Sequence, residues 1–296
     1  RQILIGHGAF IELLVMALAE QGMRSEARLW PQGELPAQLR EWDDRPVARI
    51  RLFPGGTPDP LFAQVLRRHT PKVDFDTAKP VAASVLERLL EGAVGSTLHA
   101  GGTVDPARVQ PLRDLCWAAA KTELLTPRTV MESMRLTRVG PDEILAHRDG
   151  ISINSIVPRV AAAFGLLDRS QPPAEGSTAY SEMMRRFDGH CRSAMGFAWL
   201  ATPGNGRTAQ VEAGRAYVRM QLRATELGVG MHPMSQALQE FSEMAPHHAL
   251  AHRLLIGAGA PRTTQEETVQ MFCRIGYPQE AVRATPRRPL GQFLQA

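Results

Sequence analysis

Six consecutive residues, Arg67-Arg68-His69-Thr70-Pro71-Lys72, place three fixed cations, an imidazole and a hydroxyl where a helix gives way to a loop. Arginine presents a planar fork of N–H donors, and charge-assisted bonds from such a cluster hold an anion such as a phosphate monoester. A solvated charged face produces the same pattern. Arg287-Arg288, followed by Pro289-Leu290, supplies a second basic pair on an extended tail. The two clusters could clamp one phosphate, although spacing alone does not bring them together.

Other candidates are weaker. Gly204-Asn205-Gly206-Arg207-Thr208-Ala209 follows an apolar stretch at 197–201 and opens a helix, the context of a dinucleotide-binding turn. That site also needs a second strand ending in an acid about twenty residues on. Here the helix runs to Glu226 and into Gly228, so a helix-capping turn is the simpler reading. His247, His248 and His252 share one helix with metal-binding spacing. No carboxylate or cysteine partner lies close in sequence, and these histidines are expected to hold no metal. Cys191, in Gly189-His190-Cys191-Arg192, is either an activated thiol or, more commonly, a buried one. There is no G-x-S-x-G or P-loop pattern, and no catalytic side chain is assigned.

The elements that must position these residues centre on 206–236. Ala213, Ala216, Tyr217, Met220, Ala224 and Leu227 recur at helical spacing and form a mostly small face open to close approach. Arg215, Arg219 and Arg223 lie on another face, and Gly228 is a plausible stop. Val229 to Gln236, with Gly230 and Pro233, reads as an irregular turn with exposed backbone N–H groups.

The 296 residues allow one large domain or two small ones. Hydrophobic residues make up 44% and charged ones 22%, an ordinary globular balance. A net charge of +4, without a dense basic stripe, argues against a nucleic-acid partner. Three separated cysteines, Cys116, Cys191 and Cys273, form no disulfide framework or zinc spacing. The apolar run Ile3 to Ala19 contains His7 and Glu12 and falls short of the ~20 residues of a membrane span. The chain starts at Arg1 without a visible targeting segment; a cytoplasmic location is favoured, and an export signal upstream stays open.

Along the chain, helices are expected at Gly8–Glu20, Asp59–Arg68, Val81–Ala93, 111–122, 127–138, most of 141–167, Tyr180–Met195 and Gly206–Gly228. Strands are expected at Ser25–Trp30, Val47–Phe53, Phe197–Ala201 and Val269–Ile275, with loops at Gly101–Pro111 and Gln171–Ser177. There is an internal echo. Gly8, eleven residues, Glu20, one residue and Gly22 match Gly214, eleven residues, Glu226, one residue and Gly228. Later strands carry Ala48-Arg49-Ile50 and Cys273-Arg274-Ile275, and each closes on a proline, Pro54 or Pro278. This divides the chain into 1–56, the remainder of a first half, and 57–296, a second half.

In order, Arg68-His69-Thr70-x-Lys72, Phe75-Asp76, Lys79-Pro80-Val81, Leu227–Gln236, Gly276-Tyr277-Pro278 and Arg287-Arg288-Pro289-Leu290 resemble the nitroreductase family of FMN-dependent oxidoreductases. The resemblance covers 60–294. The echo is similar to a fused subgroup in which one chain imitates the family's homodimer, which includes dormancy-associated proteins related to Acg. The resemblance implies an α+β sandwich with a mixed central sheet and FMN between two halves, in a monomeric pseudo-dimer or a homodimer. It implies that Arg68, Thr70 and Arg288, with Arg287 adjacent, hold the FMN phosphate. His69 and Lys72 would line the ribityl chain and the N1/O2 edge. Backbone groups of Pro233, Met234, Ser235 and Gln236 would meet the ring near N5 and O4. The implied reaction passes a hydride from NAD(P)H to the flavin and then reduces a nitroaromatic, a quinone or a similar small aromatic acceptor; some fused members bind flavin without turnover or have lost it. The family's Gln-Pro-Trp loop is absent, and the matching stretch Gly92–Gly102 lacks it. Its working copy is expected upstream of Arg1.

Overall fold

The first helix, α1 (Gln2–Glu20), is apolar almost throughout, and it stops at Gly22, whose φ of +72° turns the chain into a hairpin. That hairpin is β1 (Met23–Leu29) paired antiparallel with β2 (Ala48–Pro54), a two-stranded sheet of its own. One face of the pair, with Ala27 opposite Ile50 and Leu29 opposite Ala48, packs on Leu4, Ile11 and Val15 of α1. In this computed structural model the described residues are 1–36, 38–93, 98–164, 168–257, 267–282 and 284–294.

After a 3-10 turn at Pro60–Gln64, the chain forms α2 (Ala83–Leu90) and β3 (His99–Thr103). α3 (Pro106–Leu125) starts at a proline whose missing N–H costs nothing there, with the Asp105 carboxylate accepting from Ala107 N–H at 3.0 Å. α4 (Pro127–Arg135) follows. A small excursion then carries β4 (Thr137–Val139), α5 (Gly140–His147), β5 (Ile151–Ile153) and α6 (Ile156–Ala163), with β4 and β5 parallel. α7 (Thr178–Arg192) leads to β6 (Gly196–Pro203), α8 (Arg207–Glu226), β7 (Gly230–Pro233), α9 (Ala245–Leu255) and β8 (Glu267–Gly276).

The main sheet has the order β3-β6-β8-β7. β6 and β8 are buried nearly end to end, because both faces are covered. On one face Ala198, Leu200, Met271, Cys273 and Ile275 meet α8 and α2; on the other Phe197, Trp199 and Phe272 meet α3 and α9. The α+β sandwich expected from the sequence is therefore present. Its central sheet is antiparallel at every described pairing, and the parallel pairing expected of a mixed sheet is confined to β4–β5. An antiparallel β6 also excludes the dinucleotide-binding turn at Gly204–Ala209, which needs a parallel β-α-β unit.

Several local expectations are corrected. Gly101–Pro111 is not a loop: Gly101 and Gly102 lie in β3, where a Cβ would stand 2.5 Å from the Trp199 ring and 2.6 Å from Leu86. The Asp59–Arg68 helix shrinks to the Pro60–Gln64 turn. The helical reading of 141–167 is broken by β5, and 165–167 lie outside the described residues. Within the irregular turn at 229–236, Gly230–Pro233 forms β7 and Ser235 opens a 3-10 turn. Of Gly92–Gly102, residues 94–97 lie outside the described residues.

α1 packs along α8, with Ile5 reaching the small stripe. Ala216, Met220 and Ala224 face the sheet and α2, together with Ile5. α1 meets the adjacent stripe of Val211, Gly214 and Leu222, where glycine permits the closest approach. Glu12, 6% exposed, ties the pair by accepting from Arg215 Nε and Arg219 Nη1, each at 2.9 Å. At 19 residues with a mean hydropathy of 1.8, α1 is long and apolar enough by composition to cross a membrane, contrary to the expectation from the shorter run. Here it is a packing helix whose mid-point carboxylate is paired with two arginines of α8.

Candidate functional site

The loop carrying Thr70, Lys72 and Asp74 is stapled to the end of β8. Phe75, fully buried, lies over Gly230 and Gly276, where any Cβ would come within 3.0 Å of its ring. Its N–H donates to Ser193 Oγ at 3.0 Å, Asp76 N–H donates to the Tyr277 carbonyl at 2.8 Å, and Gln279 N–H donates to the Asp74 carbonyl at 3.1 Å.

Arg274 is the centre of this staple. It is fully buried on β8, directly opposite His232 of β7. Its Nε donates to His232 Nδ1 at 3.0 Å, and its Nη atoms donate to the His190 carbonyl at 2.9 Å, Ser193 Oγ at 3.1 Å and the Val73 carbonyl at 2.6 Å. The guanidinium also lies 4.1 Å from the centre of the Phe75 ring. Burial without a carboxylate contact pushes its pKa down to about 10. One side chain thus locks α7, the two strands and the loop together.

Around it the site is strongly basic. Burial, then the charges of Arg274 and Arg186, pushes His190 down to about 3, so this imidazole stays neutral. His232 is driven well below its ordinary value by the same causes. The two rings meet edge-on, 5.3 Å apart. Because His232 Nδ1 accepts from Arg274, its proton sits on Nε2. Lys72 is lowered by lost hydration and then by Arg186, and Arg186 by lost hydration. His190 Nδ1 is buried without a hydrogen-bond partner. Such an orphan costs about 1–3 kcal/mol unless something satisfies it.

On the α8 side of β7, Arg68 Nη1 donates to Gln221 Oε1 at 2.7 Å, and Gln221 Nε2 donates to Thr70 Oγ1 at 3.3 Å. Gln221, 3% exposed, therefore sets the separation of the two phosphate candidates. Arg68 is lowered by burial, and the charge of Arg287 adds to that shift. Arg287 Nη1 itself donates to the Thr285 carbonyl at 3.0 Å and the Pro286 carbonyl at 3.2 Å. Arg288 instead pairs with Asp149, which also accepts from Arg138 Nε at 3.0 Å.

The remaining sequence candidates divide. His69 is half-buried beside Arg68 and Thr70. Pro233 ends β7. Met234 N–H donates to the Phe272 carbonyl at 2.8 Å and is thereby spent on the sheet, while its side chain joins the core. Ser235 opens a 3-10 turn, and Gln236 turns its amide toward the Glu123 carboxyl, which burial raises. His252 uses both ring nitrogens, at the His248 carbonyl (2.9 Å) and at Val269 N–H (3.1 Å), and His247 bonds Thr122 Oγ1 at 2.9 Å. Cys191 is buried and pushed up to about 12, which removes the activated-thiol reading. Two clefts, about 380 Å3 near Arg113 and Cys191 and about 370 Å3 beside Asp59 and Arg219, are not lined by the basic residues around Arg68 and Lys72.

Sequence reasoning missed Gln221, Arg186, His190 and His232 as members of the site. Arg274 carried a signal, a charge inside an otherwise apolar strand, but was read only as part of the echo.

No protein-family model matches the chain, and no curated protein matches it. Among solved structures it is similar to an FMN-bound nitroreductase from Bacteroides fragilis, with 14% identity, 80% of this chain and 98% of that chain covered, and a TM-score of 0.44. It is also similar to the FMN-dependent nitroreductase NfnB from Mycobacterium smegmatis in complex with NADPH, with 16% identity, coverage of 80% and 97%, and a TM-score of 0.48. An iodotyrosine deiodinase bound to FMN and 3-iodo-L-tyrosine is similar at 12% identity, with coverage of 78% and 96% and a TM-score of 0.42.

Proposed function

We propose that this chain is an FMN-dependent oxidoreductase of the nitroreductase type. The observation that carries the reading is the chain of hydrogen bonds from Arg68 through the buried Gln221 amide to Thr70, which fixes two donors of the loop against α8. The donor set fits a phosphate. Arg68 bonds a neutral amide instead of a carboxylate, so its charge remains available to a dianion.

Arg68, Thr70 and Arg287 hold the phosphate, and Gln221 fixes their spacing. His69 and Lys72 line the ribityl chain and the pyrimidine edge, where a positive charge favours the anionic reduced ring. Bound FMN supplies two-electron chemistry between a reduced nicotinamide and a nitroaromatic, quinone or similar aromatic acceptor. The protein binds, orients and shields; no side chain need move a proton.

Residues 1–56 and 57–296 are two related halves in this reading. The shared order of helix, left-handed glycine and antiparallel strand pair supports it: α1, Gly22, β1 and β2 against α8, Gly228, β7 and β8.

The test is absorption of purified protein in the flavin bands before and after incubation with FMN. Retained colour after gel filtration, followed by bleaching with NADH or NADPH, is the expected result. A colourless protein after saturation with FMN overturns the reading.

A further inference from the structure

The β1–β2 pair is a sheet of its own, so the side of β2 turned away from β1 has no strand against it. Among the described residues, no backbone group of 48–53 bonds outside the pair. Strand alternation sorts the side chains onto two faces. Ala48, Ile50 and Leu52 share the face toward α1, where Leu52 is still 52% exposed. Arg49, Arg51 and Phe53 stand on the outer face with Arg24, Glu26 and Arg28 of β1. Arg24 pairs with Glu26 at 2.5 Å, whereas Arg28, Arg49 and Arg51 make no ion pair among the described residues. Arg28 lies directly opposite Arg49, a position in which like charges destabilise a sheet. One charge is enough to keep an edge strand from pairing with its own kind. Three unpaired ones, two of them face to face, call for an anion from outside.

We propose that the open edge of β2 takes up an extended segment of an acidic partner protein as a third strand, one in which Asp or Glu alternates with apolar residues. A strand there would lie about 4.8 Å from β2. Its outward side chains would stand beside Arg49 and Arg51, and its inward ones beside Ile50 and Leu52, which fixes the alternation. Backbone bonds supply the affinity, and the alternating side chains supply the specificity. Two other occupants fit less well. The Phe53 ring is already covered by the Arg24 guanidinium, 4.4 Å from its centre, so no bare aromatic platform for a nucleic-acid base stands among the arginines. Two copies of this chain joined along β2 would bring the same arginines side by side. The proposal does not depend on the flavin reading.

The test is fluorescence anisotropy of short labelled peptides titrated with the full chain. The probe alternates Glu and Val, a second peptide alternates Lys and Val, and a third carries the residues of the probe in two blocks. Arg49→Glu combined with Arg51→Glu is compared with Arg88→Glu, an exposed arginine of α2. The expected result is binding of the Glu–Val probe weakened about ten-fold or more in the double variant and unchanged in Arg88→Glu. The Lys–Val peptide should gain affinity for the double variant, which also shows that the edge is still folded. Methylation of the probe's alternate backbone amides, those that meet β2, should abolish binding. Equal affinity for the probe and the block peptide overturns the proposal, since that is charge attraction without strand pairing. So does binding that survives methylation. Tighter binding of single-stranded oligothymidylate with the same dependence on Arg49 and Arg51 assigns the face to nucleic acid, and a dimer that the double variant dissolves assigns it to a second copy; either result sets the acidic segment aside. Where charge reversal disturbs folding, Arg49→Gln with Arg51→Gln takes its place, and probe affinity equal to wild type in that variant overturns the proposal.

Discussion

Gly8 and Gly214 each admit the other's helix. A Cβ on Gly8 would stand 1.9 Å from the Val211 carbonyl oxygen, and one on Gly214 would stand 2.0 Å from that of Ile5. Val211 precedes Gly214 by three residues, and Ile5 precedes Gly8 by three, so the contact is reciprocal. That is the form of a two-fold interface, in which each side presents the same patch. Each helix places one glycine at the crossing.

Gly8→Ala and Gly214→Ala should each destabilise by about 1–3 kcal/mol, because backbone stands in the way and the helices must separate. The double variant should cost less than the sum, since one separation serves both methyl groups. Gly6→Ala is the control: nothing lies within 4 Å of its Cβ. There the gain in helix propensity, about 0.5–1 kcal/mol, should appear as stabilisation. Urea midpoints that move the same way in all three single variants would remove the close-packing account.

Glu12→Gln tests the polar part of the same interface. Glu12 is nearly buried and serves two arginines that are themselves only 20–30% exposed at their side chains. Losing its charge leaves those cations partly desolvated, at a cost of about 2–3 kcal/mol, below the 3–5 of a fully buried pair. Thermal melts of wild type and Glu12→Gln read the difference. A shift within error would mean that the ion pairs Arg219 keeps with Asp59 and Arg215 keeps with Glu212 suffice without it.

The α+β class was legible because it rests on a local signal, hydrophobic periodicity. β3 was not, since two adjacent glycines imitate a loop and their reason lies across the sheet, at Trp199 and Leu86. The basic cluster around Arg274 was hidden for the same reason. His190, His232 and Phe75 are far apart in sequence, and only tertiary packing turns three ordinary residues into one network. The small stripe on α8 was read correctly as buried, but its partner is the sheet; Gly214, one residue away, decides where α1 goes.

Stability should fall as pH drops from 7 to 5. His190 is held near 3 in the fold, against about 6.5 when unfolded, so the unfolded chain takes up protons that the fold refuses. The contribution is complete above about pH 6.5 and declines by about 1.4 kcal/mol per unit below it, about 2 kcal/mol at pH 5. His232 adds in the same direction. The depressed carboxylates, such as Glu243 at about 2, lose stabilisation only at lower pH. Urea midpoints across this window should show the slope, and His190→Asn should flatten it. A slope unaltered in that variant would assign the effect elsewhere.

All three cysteines should resist iodoacetamide at pH 8 in native protein and react in urea. Cys116, Cys191 and Cys273 are buried, and burial raises each thiol, so thiolate is scarce. Stoichiometric labelling of folded protein at Cys191 would show that α7 opens beside it.

The tail supplies the last prediction. Arg287 is the arginine whose charge reaches Arg68, whereas Arg288 pairs with Asp149, itself held by Arg138. In the proposed site Arg287 touches the phosphate, and Arg288 holds the tail. A charged hydrogen bond is worth about 1.5–3 kcal/mol net, so Arg287→Ala should weaken FMN binding about ten- to a hundred-fold and leave riboflavin nearly unchanged. Arg288→Ala removes only a half-exposed ion pair, which water screens, and should cost a few-fold at most. Asp149→Asn should match it, since it removes the same latch. Fluorescence titration with FMN and riboflavin reads every arm. A larger loss of FMN affinity in Arg288→Ala than in Arg287→Ala, with Asp149→Asn unchanged, would return the phosphate contact to Arg288 and set the latch aside.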